Sequence, residues 1–173
     1  MIGRIIKLCY YLALFGSLGG FAGCPYSFTG GSTLPPYLKT IAIPIFDDQS
    51  NFGEPGLREM FTKELTDKFV NDNTLTLESK TAADCILQGV ITRVTDKPSV
   101  VGQGEQVSKR RIEISVRVTF EDLTKRKKLW EKEFSNWGDY QSSGPSFTKR
   151  QDGIKVATEK LTQDVLIETV SGW

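Results

Sequence analysis

The stretch RIEISVRVTF, residues 111–120, decides the fold of this chain. Apolar and polar residues alternate along it, so an extended backbone places all the apolar side chains on one side. Such a strand belongs to a sheet with one face on a core and the other toward water or a polar partner. The apolar positions are Ile112, Ile114, Val116, Val118 and Phe120, and they alternate with Arg111, Glu113, Ser115, Arg117 and Thr119.

The segments on either side of this stretch extend it into a sheet. Residues 85–95 begin apolar on both faces, which predicts a central strand. A basic turn at residues 125–128 leads to a second strand, which predicts a hairpin. Loops are predicted at 96–106 and 138–145, where Gly, Ser and Pro accumulate. The second strand carries Leu129, Trp130, Phe134 and Trp137.

The two ends of the domain complete the pattern. Residues 39–46 predict a strand in which Ile41, Ile43 and Ile45 share a face, with Pro44 at an edge or with its nitrogen facing outward. A polar turn at 47–53 precedes a helix that opens at Glu54-Pro55 and ends near 71–73. A short strand at 74–78 and a final helix at 148–170 follow. The helical stripes are Leu57, Met60, Phe61, Leu65, Phe69 and Ile154, Ala157, Leu161, Val165, Ile167 or Glu168.

The order is therefore β-α-β-β-β-β-α, which predicts an α+β fold. Two helices would pack on one face of a small sheet of mixed or mostly antiparallel strands. The domain would span residues 39–173, preceded by a signal peptide at 1–23 and a lipidated tether at 24–38.

Composition argues against catalysis. The chain has 173 residues, 22 Lys and Arg against 21 Asp and Glu, and no histidine. The missing histidine removes the commonest general base and the usual catalytic zinc ligands. A net charge of +1 provides no overall basic field for nucleic acid. We therefore expect a protein that is not an enzyme, with no nucleic-acid partner, no metal and no cofactor.

The N-terminus is typical of a secretory signal peptide. Arg4 and Lys7 precede an apolar run at residues 8–18, and small residues then lead to Cys24. The run is shorter than the roughly 20 residues of a spanning helix. Removal of residues 1–23 would leave 150 residues with 20 basic and 21 acidic side chains. An ordinary signal peptide followed by a chance cysteine is the alternative interpretation.

The sequence FAGC at residues 21–24 resembles a bacterial lipobox, with Phe21 where that pattern prefers Leu. The resemblance implies that Cys24 is the lipidation site and that acyl chains anchor the protein to a bilayer. Two or three acyl chains hold a domain on a membrane almost permanently. By analogy with lipoprotein sorting, Pro25 favours the outer membrane. Cys85 would then be the one free cysteine of the mature chain.

Three motifs together resemble the lipopolysaccharide-assembly lipoprotein family LptE. They are CPYSFTG at 24–30, LKTIAIPIF at 38–46 and EPGLRE at 54–59. The resemblance implies a non-enzymatic lipoprotein on the periplasmic face of the outer membrane. Such a protein plugs the LptD β-barrel translocon, assists barrel assembly and helps deliver lipopolysaccharide to the cell surface. It also implies two helices on a sheet, in agreement with the pattern above.

Two basic clusters are candidates for binding lipopolysaccharide phosphates, because Lys and Arg recognise phosphates by charge-assisted hydrogen bonds. The strand between them spans about 45 Å at about 3.3 Å per residue, so they cannot form one compact site. The alternative is a solvated turn and a charge-protected sheet edge. The clusters are Lys109, Arg110, Arg111 and Lys125, Arg126, Lys127, Lys128.

Other conspicuous residues are most simply core residues: Cys85, Trp130, Phe134 and Trp137. Trp137 and Tyr140 are equally well interpreted as interface anchors. A second functional hypothesis is a lipoprotein activator or scaffold of a periplasmic machine, such as a cell-wall synthase or a secretion complex. A third, a hydrolase that uses Cys85 or carboxylates, lacks an identifiable activating base.

Overall fold

The computed structural model describes residues 34–100, 109–141 and 146–171. The predicted signal peptide, Cys24 and most of the predicted tether lie outside these ranges. Among the helices described, none has the length and apolar character needed to cross a membrane.

The described residues form two helices and a mixed six-stranded sheet, which confirms the predicted α+β class. The strands are β1 (Thr40–Ala42), β2 (Asp47–Asp48), β3 (Thr76–Leu77), β4 (Cys85–Val100), β5 (Lys109–Asp122) and β6 (Lys127–Gln141). The helices are α1 (Leu57–Asp72) and α2 (Ser146–Ser171).

The sheet has the order β3-β1-β4-β5-β6, and β2 pairs with β4 beyond the end of β1. β1 is parallel to β3 and β4, whereas β4, β5 and β6 form an antiparallel meander. The prediction of a central strand at residues 85–95 is therefore confirmed. The long hairpin of β5 and β6, joined by the turn at residues 123–126, is also confirmed.

The predicted strand at residues 39–46 is too long, and the prediction that Ile45 shares the buried face of Ile41 is wrong. β1 ends at Ala42, two residues before Pro44, because proline has no N–H to continue the ladder. β1 lies between two strands, so it is not an edge. The chain pairs again only at Asp47 with Val90, as β2. Ile45 is consequently 62% exposed, while Phe46 is fully buried.

One hydrophobic core lies between the sheet and the helices. The five apolar residues of the β5 alternation are fully buried in it, as are the stripe residues of α1, except for partly buried Met60. The buried face of α2 ends with Leu166 and Thr169. Ile167 lies on the other side of the helix and is exposed, so its predicted place on the apolar stripe is wrong. The α2 residues in the core cluster are Ile154, Ala157, Leu161, Val165 and Leu166.

Both predicted loops are shorter than expected. Residues 96–100 continue β4, and residues 138–141 continue β6. Pro98 is tolerated because, among the described residues, β4 pairs only with β5 at this level and carries a bulge between Pro98 and Val100. Residues 101–108 and 142–145, which include the predicted loop glycines Gly102 and Gly104, lie outside the described ranges.

A close approach between two glycines sets α2 against β6. A Cβ atom on Gly138 would lie 2.0 Å from the carbonyl oxygen of Gly153. Gly138 is therefore a packing position at which a side chain would separate the helix from the sheet, which explains a glycine inside a strand.

Candidate functional site

The outer face of the sheet, opposite the helices, is a polar surface. Along β5 its side chains are exposed or half-buried, while their neighbours on the inner face are fully buried. On β6 the same face carries exposed residues of both charges. Its residues on β5 and β6 are Arg111, Glu113, Ser115, Arg117, Thr119 and Glu131, Glu133, Ser135, Trp137, Asp139.

A cavity of about 440 Å³ lies beside this face, at the junction of β2, β4 and β5. It combines two cations, Lys80 and Arg117, with an apolar wall that includes the exposed Ile45. Neither cation makes an ion pair within the described part of the chain, although Arg117 lies opposite Glu133 in the ladder. The lining is Pro44, Ile45, Asp47, Lys80, Gln88, Gly89, Val90, Arg117 and Thr119.

The local sequence explains how this cavity forms. Pro44 ends β1, and the chain then turns Ile45 outward and Phe46 inward. The backbone N–H of Phe46 donates to Thr62 Oγ1 of α1 over 3.0 Å. A Cβ atom on Gly89 would lie 2.5 Å from Phe46 Cε1 and 2.6 Å from the carbonyl oxygen of Arg117, so glycine is required there. The cavity wall is thus fixed by core packing.

The first predicted basic cluster is divided between the two faces of β5. Arg110 Nε lies 2.8 Å from Asp96 Oδ1 and 3.0 Å from the Tyr140 hydroxyl on the inner face. Arg111 forms a two-pronged ion pair with Asp139 on the outer face, at 2.7 and 3.0 Å.

These partners largely neutralise the cluster. The hydrogen bond from Arg111 lowers the pKa of Asp139 below its usual range. Lys109 is exposed and has no ion pair among the described residues. The structure thus leaves one unpaired cation, Lys109, in this cluster.

The second predicted cluster, residues 125–128, is called the basic turn below. Lys125 Nζ lies 4.1 Å from the centre of the Tyr37 ring, and Lys128 pairs with Glu131. Arg126 adopts a left-handed conformation at φ 52°. Arg126 and Lys127 are exposed and have no ion pair within the described ranges. The two clusters lie at opposite ends of β5, as predicted; whether either binds phosphate stays a prediction.

The structure brings Lys80 and Arg117 to one cavity, which sequence reasoning missed as a pair. The alternation of β5 places Arg117 on the outer face, and that signal was available. Lys80 carries no such signal, because it lies in the short connection between β3 and β4.

Cys85 is a core residue, as predicted. It is fully buried, and its thiol lies 3.2 Å from the carbonyl oxygen of Thr40. Burial, followed by the charges of Asp84 and Asp122, raises the pKa of Cys85 to about 12. The thiolate that a nucleophile requires is therefore strongly disfavoured at neutral pH.

The aromatic residues of β6 divide between the core and the surface. Trp130 and Phe134 pack on the core, as predicted. Trp137 is 44% exposed, so the prediction that it belongs to the core is wrong, because its position on β6 faces outward. Its ring lies 5.1 Å from the Arg111 guanidinium and 5.2 Å from Lys160 Nζ. Tyr140 is buried and donates to Asp96 Oδ2 over 2.6 Å.

No grouping of acidic or thiol side chains suited to hold a metal ion occurs in residues 34–100, 109–141 and 146–171. Cys24, the predicted lipidation site, lies outside the described residues.

Comparison with known proteins identifies one family. The family model LptE, described as lipopolysaccharide-assembly, matches residues 38–169. A search of curated proteins finds no significant match.

Solved structures share the fold at low identity. A hypothetical protein of Chlamydia trachomatis is 10% identical, with a TM-score of 0.59 over 76% of this chain and 95% of that one. A minor lipoprotein of Acinetobacter baumannii is 9% identical, with a TM-score of 0.51 over 76% and 91%. The PelC dodecamer of Paraburkholderia phytofirmans is 11% identical, with a TM-score of 0.51 over 79% and 92%.

Proposed function

The chain belongs to the LptE lipopolysaccharide-assembly family, and we propose that it is an outer-membrane lipoprotein that partners and plugs an LptD-type β-barrel. In this role it assists barrel assembly and the delivery of lipopolysaccharide to the cell surface. The observation that carries the proposal is the family match over residues 38–169, which covers nearly all of the described α+β domain.

The proposed attachment is a lipid on Cys24, on the periplasmic face of the outer membrane. Anchoring confines the domain to the membrane surface and raises its effective concentration near the barrel. The protein binds and positions its partners and catalyses no reaction. Mass spectrometry of the purified protein tests this part, because acylation adds a defined mass to the peptide that begins at Cys24.

The proposed contact for lipopolysaccharide is the cavity on the outer face. Lipopolysaccharide carries phosphates next to acyl chains, and this cavity places beside an apolar wall two cations that have no ion pair in the described part of the chain. Guanidinium and ammonium groups bind phosphate by charge-assisted hydrogen bonds. Asp47, at the cavity rim, opposes any anion there, so binding depends on both Lys80 and Arg117. Lys109 and the basic turn are further predicted phosphate contacts.

The first prediction concerns this cavity. The double variant Lys80→Gln, Arg117→Gln should bind lipopolysaccharide at least about 100-fold more weakly, because each of the two lost charged hydrogen bonds costs about 1.5–3 kcal/mol. The matched control is Arg93→Gln, Lys97→Gln, which removes the same charge from exposed β4 positions outside the cavity. Binding of the purified full chain to labelled lipopolysaccharide measures both variants.

Equal losses in the two double variants would remove the cavity from the proposal. The family function itself is tested separately, by copurification of the full chain with a large outer-membrane barrel. Depletion that leaves the barrel and surface lipopolysaccharide normal would overturn it.

The second candidate is a lipoprotein activator or scaffold of a periplasmic machine. Its fold-level support is the similarity to PelC, a protein solved as a dodecamer. Tether length separates the two functions, because a scaffold must reach its partner across the periplasm. A deletion within residues 25–33 should damage a scaffold more than a plug held at the membrane.

A further inference from the structure

We propose that the basic turn is the membrane-facing tip of the domain and contacts the phosphates of anionic phospholipid headgroups. The inference rests on the lipid anchor at Cys24 in the proposed function. It adds an orientation and a second surface to that function, because no residue of the basic turn lines the cavity on the outer face.

The first observation is where the chain enters the domain. Tyr37 lies at the N-terminal end of the described residues, and its hydroxyl donates to Asp122 Oδ2 over 2.6 Å. Asp122 is the last residue of β5, and its Oδ1 accepts the backbone N–H of Lys125 over 2.8 Å. The Lys125 ammonium covers the Tyr37 ring. The segment that leads to Cys24 therefore leaves the domain beside the basic turn.

A second set of bonds fixes that exit. Asp84 Oδ2 accepts the backbone N–H groups of Lys39 and Thr40, at 2.9 and 3.0 Å. The carbonyl of Asp84 accepts the N–H of Leu123, at the start of the β5–β6 connection, over 2.8 Å. The entering chain and the connection thus share one anchoring residue, which keeps them together.

Reach then places the basic turn near the bilayer. Nine residues lie between Cys24 and Leu34, and the ten Cα-to-Cα steps from one to the other span at most about 36 Å. β5 alone, with 14 residues, is about 45 Å long. With the turn end toward the anchor, the opposite end of β5 is held far from the membrane.

Both ends of β5 carry unpaired cations among the described residues, but only the turn end receives the chain from the anchor. At the far end Arg110 and Arg111 are paired with carboxylates, while Lys97 and Lys109 are exposed without an ion pair. In the basic turn, Arg126 and Lys127 are exposed without an ion pair among the described residues. Glu131 is paired with Lys128, and Glu121 lies opposite that same lysine. Two cations are therefore free for lipid phosphates at the end where the anchor attaches.

The surface beside these cations suits a headgroup region. Tyr37 is 37% exposed at the same tip, and tyrosine rings favour the membrane–water interface. Each Lys or Arg near an anionic surface adds about 1 kcal/mol of attraction, which screening by salt reduces.

The test measures whether the tip touches lipid. The full chain carrying Thr124→Cys is purified from membranes, labelled with a fluorophore and reconstituted into vesicles with a quencher on some lipid headgroups. The vesicles contain phosphatidylcholine with or without phosphatidylglycerol, and no lipopolysaccharide. Cys85 is buried and does not compete for the label. Gln141→Cys, an exposed position at the far end of β6, is the matched label site.

We expect strong quenching at Thr124→Cys only in vesicles with phosphatidylglycerol, and weak quenching at Gln141→Cys. Adding Arg126→Asn and Lys127→Gln should lower the ratio of contacting to free orientations about 30-fold, equal to two cations at about 1 kcal/mol each. Asn is chosen because it tolerates the left-handed backbone of Arg126. Lys97→Gln with Lys109→Gln removes the same charge at the far end and should change nothing.

Quenching that is equal at the two label sites, or that is insensitive to the turn substitutions, would overturn the proposal. The assay contains neither barrel nor lipopolysaccharide, so failure of the partnership with the barrel leaves its result unchanged.

Discussion

At the scale of single residues, Asp84 ties the entering chain to the sheet. One carboxylate oxygen accepts three hydrogen bonds, from the N–H groups of Lys39 and Thr40 and from the Thr40 hydroxyl. The backbone hydrogen bond from Lys39 is the largest cause that lowers the pKa of Asp84 below its usual 3.8. The charged form is thus favoured in the folded state, which links folding to pH.

Asp84→Asn should therefore lower the free energy of unfolding by about 1.5–3 kcal/mol at pH 7, because bonds to a charged acceptor become neutral ones. A lowered folded pKa gives stability that is complete above the unfolded pKa and is lost as pH falls through the folded value. The difference in unfolding free energy between the wild type and the variant should therefore disappear below about pH 4. Denaturant unfolding from pH 7 to 2.5 measures it.

Asp152→Asn is the control, since Asp152 is exposed on α2 and has no ion pair among the described residues. Its effect should stay within about 0.5 kcal/mol at every pH. A gap between the wild type and Asp84→Asn that is constant down to pH 2.5 would contradict the linkage.

At the scale of elements, α1 is fixed to the chain segment after β1 by Thr62. Its hydroxyl accepts the buried N–H of Phe46 and donates to the carbonyl of Arg58 over 2.7 Å. Thr66, one turn later, only donates, to the carbonyl of Thr62 over 2.7 Å. The two threonines thus differ in whether a buried donor depends on them.

Thr62→Val should cost about 1–3 kcal/mol of unfolding free energy, because it leaves the N–H of Phe46 buried without a partner. Thr66→Val should cost less than about 1 kcal/mol, since the carbonyl it releases keeps its helical bond. Urea unfolding measures the unfolding free energies of the two variants. An unchanged m-value would indicate that each variant exposes the same surface on unfolding as the wild type. Equal costs would show that the Phe46 hydrogen bond contributes nothing.

The elements were largely predictable from sequence because periodicity records which face is buried. The alternation of β5 and the stripe of α1 both match the core. The same reasoning failed at Ile45, where Pro44 ends the ladder and reverses the facing. The same reasoning also predicted ends of β4 and β6 that are too early. Both strands continue further because each pairs with β5 along the full length of β5.

The candidate site was less predictable than the fold. Sequence shows that Arg110 and Arg111 are basic, but not that Asp96 and Asp139 pair with them, because those partners lie 14 and 28 residues away on other strands. Lys80 and Arg117 likewise meet only in the folded chain. Pairing over such separations leaves no local periodicity to detect.

At the scale of the whole molecule, the cavity and the basic turn share no residue, although Thr119 of the cavity lies three residues before Asp122 at the turn end of β5. Effects of substitutions at sites with no shared partners are usually additive. The Lys80 and Arg117 double variant should lose lipopolysaccharide binding and keep headgroup quenching. The Arg126 and Lys127 double variant should lose headgroup quenching, and it should weaken lipopolysaccharide binding less than the cavity variant does, because the basic turn is only a further contact for lipopolysaccharide.

The two assays already described, applied to both variants and to their combination, measure this independence. A combined variant whose loss in either assay differs from the sum of the single effects would show that the two surfaces act as one.

The bonds at Tyr37 and Asp84 have a mechanical consequence for an anchored protein. Any pull between membrane and domain enters the fold at these bonds and at Leu34 and Leu38, which pack in the hydrophobic core. β1 follows directly and is paired on both sides, so a load along it must shear two ladders at once. Force on the tether is thus spread into the middle of the sheet.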